Sequence, residues 1–261
     1  MEIIPGLWAF SAQLFISVIV LAFLCKLLDS SLGMGYGTTL TPILMIAGFG
    51  PLAIVPCILL SDLITGLTVG LAHHKAGNVN FKRGSFHLKI ALALAACSII
   101  GVSVAVAVAI NIPKLWLKTY IGLLVLGVGI LMLLTFNKTY KFSWKKITGL
   151  GLVAAFNKGM SGGGYGPVTT GGQILSGING NNAVGITSLS KGLTCAIGVL
   201  VFIVSPEVIN WNLAPPLIIG GMLSVPLSMF IVKNLRTKTL KIAIASLTLI
   251  LGTFTLFKIF Y

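Results

Sequence analysis

Charge is what this chain has least of, and acidic charge above all. Of its 261 residues 4 are Asp or Glu and 18 are Lys or Arg, so 8% are charged against 56% hydrophobic. A soluble domain carries roughly 25% charged residues, and this composition excludes one. The net charge of +14 falls in short clusters between apolar runs, not along a continuous basic face, which removes nucleic acid as a partner. Cysteine is scarce as well. Cys25, Cys57, Cys97 and Cys195 each lie inside apolar sequence with no Cys-x-x-Cys spacing, so they read as small hydrophobes rather than as a disulfide framework or a zinc site. His73, His74 and His87 fall in one expected loop without acidic or cysteine partners, so no metal and no cofactor is expected. No nucleophile–base pair sits in apolar sequence, and the chain is not expected to be an enzyme. The first apolar run has no basic flank before it and reads as a retained membrane helix rather than a signal peptide.

What is present is a series of apolar segments, at about 7–28, 30–48, 52–72, 88–110, 115–136, 147–158, 163–177, 183–204, 213–232 and 240–260. Most approach the ~20 residues that a helix needs to span a bilayer. Segment 147–158 is short, and two others carry glycine-rich breaks. The expected fold is therefore an all-α polytopic membrane protein with about ten crossings. Lys75, Lys82, Arg83 and Lys89 form one basic cluster, Lys138, Lys141, Lys145 and Lys146 a second, and Lys233, Arg236, Lys238 and Lys241 a third, holding 12 of the 18 basic residues. Ten crossings with both termini outside put all three in the cytoplasm, and leave Trp8, Trp116 and Trp211 near the outer interface. Re-entrant turns at the two glycine-rich segments would send the third cluster to the opposite side, so ten crossings are preferred.

Two stretches of the chain are weak copies. Asp29-Ser-Ser-Leu-Gly-Met-Gly-Tyr-Gly37 matches Lys158-Gly-Met-Ser-Gly-Gly-Gly-Tyr-Gly166 at an offset of 129, which also carries Ser61-Asp62 onto Ser190-Lys191. Two carboxylates in residues 1–136 thus correspond to two lysines in residues 137–261. Five crossings per half is an odd number, so the halves enter the membrane in opposite senses, an inverted repeat of the kind found in secondary transporters. Asp62 and Lys191 fall near the middle of their segments. A charge there costs about 2.5–3.5 kcal/mol on insertion scales, so each must face a partner or a wet cavity. A purely structural ion pair explains them too. Lys158 is expected near mid-membrane, whereas Asp29 could lie there or at the interface.

The breaks Gly35-Tyr36-Gly37 and Gly162-Gly163-Gly164-Tyr165-Gly166 supply the second element. A helix that starts inside the membrane presents about four unpaired amides and the positive end of its dipole, which suits an anion, and Pro167 fits such a first turn. Thr38, Thr39, Thr41, Thr169 and Thr170 follow the breaks and are candidate hydroxyl donors, unless each bonds back to its own helix. Gly66-Leu67-Thr68-Val69-Gly70 reads as close helix packing. With Lys158, Lys191, Asp29 and Asp62 ionised, these charges cancel. An added anion leaves the site negative, and a proton taken up by Asp62 or Asp29 restores neutrality.

A Gly-x-Gly-Tyr-Gly-type segment before a proline-containing helix, an alanine-rich helix, a histidine-containing loop and a second glycine-rich copy past the midpoint together resemble the TauE/SafE family, over nearly the whole chain. The first copy departs from the pattern at Met34 and Tyr36. The resemblance implies a membrane permease or exporter for sulfite, sulfonates or related sulfur anions. The expected function is a secondary transporter of a small sulfur oxyanion in the cell membrane, working by alternating access with possible proton coupling. The alternative is a passive channel for small anions. The expected partners are that anion and membrane lipid. Oligomeric state is not legible.

Overall fold

The computed structural model describes residues 12–134, 142–205, 209–234 and 237–260, with the side chains of 229–234, 237–241, 243 and 244 left aside. Trp8, Lys138, Lys141 and Arg236, and the side chains of Lys233, Lys238 and Lys241, therefore lie outside the described residues. Within them every regular element is helical: α1 (Ala12–Leu32), α2 (Tyr36–Ile46), α3 (Pro51–Lys75), α4 (Phe86–Asn111), α5 (Lys114–Leu134), α6 (Trp144–Ser161), α7 (Tyr165–Leu175), α8 (Gly180–Val204), α9 (Ala214–Asn234) and α10 (Thr237–Phe260). Helices α1, α3, α4, α5 and α8 are long and apolar enough to cross a membrane, and α9 and α10 hold the shorter apolar stretches Ala214–Ser228 and Ala245–Phe260. The bundle carries large apolar side chains on its outside and buries a set of charges inside. Ile99, Ile100, Leu200, Ile203 and Val204 are largely exposed, while Lys26, Asp29, Asp62, Lys158 and Lys191 are buried. That is the distribution lipid favours and water does not.

α2 and α7 have 11 residues each, about 16 Å of helix against a hydrocarbon core of about 30 Å. Neither crosses by itself, so ten separate crossings do not describe the chain. Each break instead joins two helices that fold back on one another. Val18 and Ala22 of α1 share a cluster with Leu40 and Leu44 of α2, Ile54 at the start of α3, and Leu213 and Leu217 around the start of α9. Leu32 and Met34, at the break, pack beside Val128 and Met132 of α5, whereas Met45 packs beside the Leu117–Ile121 part of α5. α2 thus returns to the end from which α1 began. The second pair does the same from the opposite end. Ile147 near the start of α6 and Ile178 just past α7 meet Val79 and Ile90 in one cluster, while Ser161, at the tip of α6, reaches Thr41 of α2.

The objection to re-entrant turns holds only if each glycine-rich segment turns back alone. With α1–α2 and α6–α7 as the hairpins, the α3–α4 turn and the start of α6 share one end of the bundle, where the Phe86 ring lies 5.1 Å from Phe142 and 6.1 Å from Trp144. That end carries Lys82, Arg83, Lys145 and Lys146. Trp116 and Trp211, both largely exposed, adjoin Leu117 and Leu213 at the other end. His73 and His74 belong to the last turn of α3 and His87 to the first turn of α4, so they are helical rather than loop residues, and His73 is wholly buried.

Candidate functional site

The two glycine-rich breaks meet at the centre of the bundle. α1 closes on Gly33 and α6 on Gly162, with φ of 72° and 71°, the left-handed C-terminal cap that glycine adopts without strain. After Gly35 and Gly164 the chain re-enters helix with no side-chain cap on either new N-terminus. The breaks then interlock reciprocally. A Cβ on Gly37 would overlap the carbonyl of Gly162, and a Cβ on Gly166 would overlap the carbonyl of Gly33. Gly37 and Gly166 are 129 residues apart, as are Gly33 and Gly162, so the contact is exchanged between the two copies. Backbone approaches this close admit only glycine.

Beside the breaks lies a cluster of five charged side chains, each 0–3% exposed as a residue. Lys191 Nζ donates to Asp29 Oδ2 at 2.5 Å, and Lys158 Nζ donates to Asp62 Oδ2 at 2.5 Å. The offset of 129 carries Asp29 onto Lys158 and Asp62 onto Lys191, so each ion pair is the counterpart of the other with its charges exchanged. The fifth member is Lys26. It donates to Asp62 Oδ1 and to Asp29 Oδ2 at 3.0 Å, and its ammonium stands 4.8 Å from the Tyr36 ring centroid, within cation–π range. Its counterpart at the same offset is Ala155, so Lys26 breaks the symmetry. It also corrects the charge balance expected from the sequence: three lysines face two aspartates, and the ionised cluster carries +1.

Tyr36 Oη pairs with Ser61 Oγ at 2.9 Å, and Tyr165 Oη accepts from Thr194 at 3.2 Å; both residues line the small space beside the cluster. A cavity of about 10 Å³ is lined by Asp29, Asp62, Lys158 and Lys191 together with Gly35–Thr38 and Gly162–Gly166. That is room for about one water. The groups have collapsed onto one another, and any anion entering must part the ion pairs.

Of the candidate site residues from the sequence, Asp29, Asp62, Lys158, Lys191, Gly35–Thr38 and Gly162–Gly166 line this space, whereas Thr39, Thr169 and Thr170 do not. Asp29 lies beside the other three, bonded to Lys191, because α1 runs on to Leu32 instead of stopping near residue 28. Thr38 lines the cavity. Thr39 bonds back to the Gly35 carbonyl and Thr169 to that of Tyr165 at 2.7 Å, each within its own helix. Thr41 reaches the Ser161 carbonyl at 2.8 Å and Thr170 the Gly33 carbonyl at 3.1 Å, so these two tie each short helix to the opposite break. Gly66 and Gly70 lie against Gly192 and Leu189 of α8. Lys26 is the member of the charged cluster that the sequence pattern did not reveal. It sits three residues before Asp29, a spacing that shares one helix face, and ending the first helix near residue 28 hid the relation.

A broken-helix pair with buried counter-charges is transporter architecture, and comparison with known proteins decides the family. The family model for the sulfite exporter TauE/SafE matches residues 18–255. The chain belongs to the sulfite exporter TauE/SafE family. A curated relative, "Probable membrane transporter protein YtnM" of Bacillus subtilis (strain 168), is 29% identical over 256 residues, covering 92% of this chain and 82% of the relative. No solved structure matches. This TauE/SafE member is thus a multi-pass membrane transporter, and both glycine-rich breaks and all five buried charges fall inside the matched region.

Proposed function

We propose that the chain is a secondary transporter that carries a small sulfur oxyanion, such as sulfite or an organosulfonate, through the five-charge cluster by alternating access. The observation that carries this reading is the exchanged pair of ion pairs, Asp29–Lys191 and Lys158–Asp62, at the meeting of two uncapped helix N-termini. Oxyanions fit such termini because the first-turn amides and the helix dipole present partial positive charge without a side chain. The two lysines add full charges where the low local dielectric strengthens them.

The hairpin α1–α2 followed by α3–α5, and α6–α7 followed by α8–α10, each contribute three full crossings. Three is odd, so two such halves run in opposite senses. The reciprocal contacts at the offset of 129 support that inverted relation, in which the halves trade conformations and expose the cluster first to one side and then to the other. The basic residues at the α3–α4 end make it the cytoplasmic end, with both termini outside. A cavity of about 10 Å³ speaks against a standing open channel. Uptake of radiolabelled sulfite into proteoliposomes tests the proposal, with sulfate, taurine and sulfoacetate as competitors. Saturable uptake that sulfur oxyanions inhibit is expected, and uptake linear in concentration contradicts it.

A further inference from the structure

We infer that Lys26 sets the charge of the anion this site accepts, making it a site for singly charged oxyanions. The inference rests on the transport reading, because it concerns the same cluster. Its basis is the charge count. Lys26, Lys158 and Lys191 face Asp29 and Asp62, and these two aspartates are the only acidic side chains among the described residues. All five groups are 0–3% exposed, and every ion pair found among the described residues connects members of the set. The cluster therefore holds one positive charge that no other acidic side chain among the described residues neutralises, in a setting where a lone charge is costly.

A monoanion cancels that charge. A dianion replaces +1 by −1 unless a carboxylate also takes up a proton, and a neutral solute leaves the excess in place. The symmetric part of the site does not discriminate in this way. Without Lys26, the two exchanged ion pairs sum to zero and offer a monoanion no net attraction. The second copy has Ala155 where the first has Lys26, so the third lysine has no counterpart in the second half. Lys26 is also placed to be released: it bridges Asp29 and Asp62, each of which keeps another lysine when it swings away. An anion that parts the pairs can take the Lys26 ammonium as its partner while Lys191 holds Asp29 and Lys158 holds Asp62.

The test is equilibrium binding of methanesulfonate, a monoanion at any working pH, and of sulfate, a dianion, to the purified full chain at constant ionic strength. Wild type is expected to bind methanesulfonate in preference to sulfate. Lys26→Met lowers methanesulfonate affinity by about tenfold or more, the size of one unit charge a few ångströms away. The double variant Lys26→Met/Asp62→Asn has a net charge of +1 again, and methanesulfonate binding returns towards wild type. A Lys26 that merely staples α1 to α3 predicts no such return, because the second substitution removes another bond. Unchanged methanesulfonate affinity in Lys26→Met, or no recovery in the double variant, overturns the inference. Charge-selective binding without flux in proteoliposomes would instead fault the transport reading and leave this one standing.

Discussion

Lys158 and Asp62 lie 2.5 Å apart, and the residues that occupy their places in the other half, Asp29 and Lys191, lie 2.5 Å apart with the charges reversed. Both pairs run from a carboxylate of the first half to a lysine of the second, so two ion bridges join the halves at the centre of the bundle.

Lys158→Ala and Lys191→Ala are each expected to weaken anion binding by about tenfold or more, since a buried ammonium acts at low effective dielectric. Lys145→Ala, at an exposed position, leaves affinity unchanged because bulk ions screen it over about 8 Å. Titration of sulfite into the three variants decides the matter, and equal losses at buried and exposed lysines would make the buried pair structural.

Asp62→Asn leaves Lys158 without a carboxylate, and breaking a buried pair costs about 3–5 kcal/mol, so the melting temperature falls. Lys26, Lys158 and Lys191 face this carboxylate, with Tyr36 and Ser61 close by. The amide imitates its protonated form, and sulfate binding in the variant should no longer depend on pH while anion binding itself persists. Flux measured with and without a pH gradient completes the test. A well-folded variant whose flux still follows the gradient takes Asp62 out of the coupling step and leaves Asp29 to be tested.

The interlocked breaks predict unequal glycine substitutions. Gly37→Ala and Gly166→Ala push a methyl group into the opposing main chain, and overpacking of this kind costs about 1–3 kcal/mol or more. Gly171→Ala meets nothing nearby and gains up to about 1 kcal/mol of helix propensity. Thermal unfolding in detergent should rank the three with Gly171→Ala at or above wild type.

The membrane class, the buried charges and the pairing of the two glycine-rich breaks were legible because each leaves a mark in the sequence itself: scarce acids, a carboxylate or lysine inside an apolar run, matching glycines. The hairpins were not. A helix that stops, turns through glycine and returns has the same apolar composition as two crossings, so hydropathy counts α1–α2 and α6–α7 twice. Exchanging two crossings for one hairpin leaves the expected side of every loop unchanged, since both return the chain to its starting face. Lys26 escaped for a related reason: a lysine near an expected helix end reads as an interfacial anchor, and only the continuation of α1 to Leu32 puts it beside Asp29.

Side and depth can be separated by labelling. Cysteines placed at Gly77 and Lys82 should react only from the cytoplasmic face, and those at Ile112 and Trp211 only from outside. Ser161→Cys and Met34→Cys, in the two breaks, should resist impermeant reagents from both faces until substrate is added. Free labelling of Met34→Cys from the cytoplasm would restore a surface break and the ten-crossing arrangement.

The most direct test of alternating access at this cluster is counterflow. Proteoliposomes preloaded with unlabelled sulfite should take up radiolabelled sulfite faster than empty ones, because the reoriented, loaded carrier returns more readily than the empty one, and Lys158→Ala of retained melting temperature should lose that acceleration. Uptake indifferent to sulfite on the far side, or acceleration preserved in Lys158→Ala, would contradict the account.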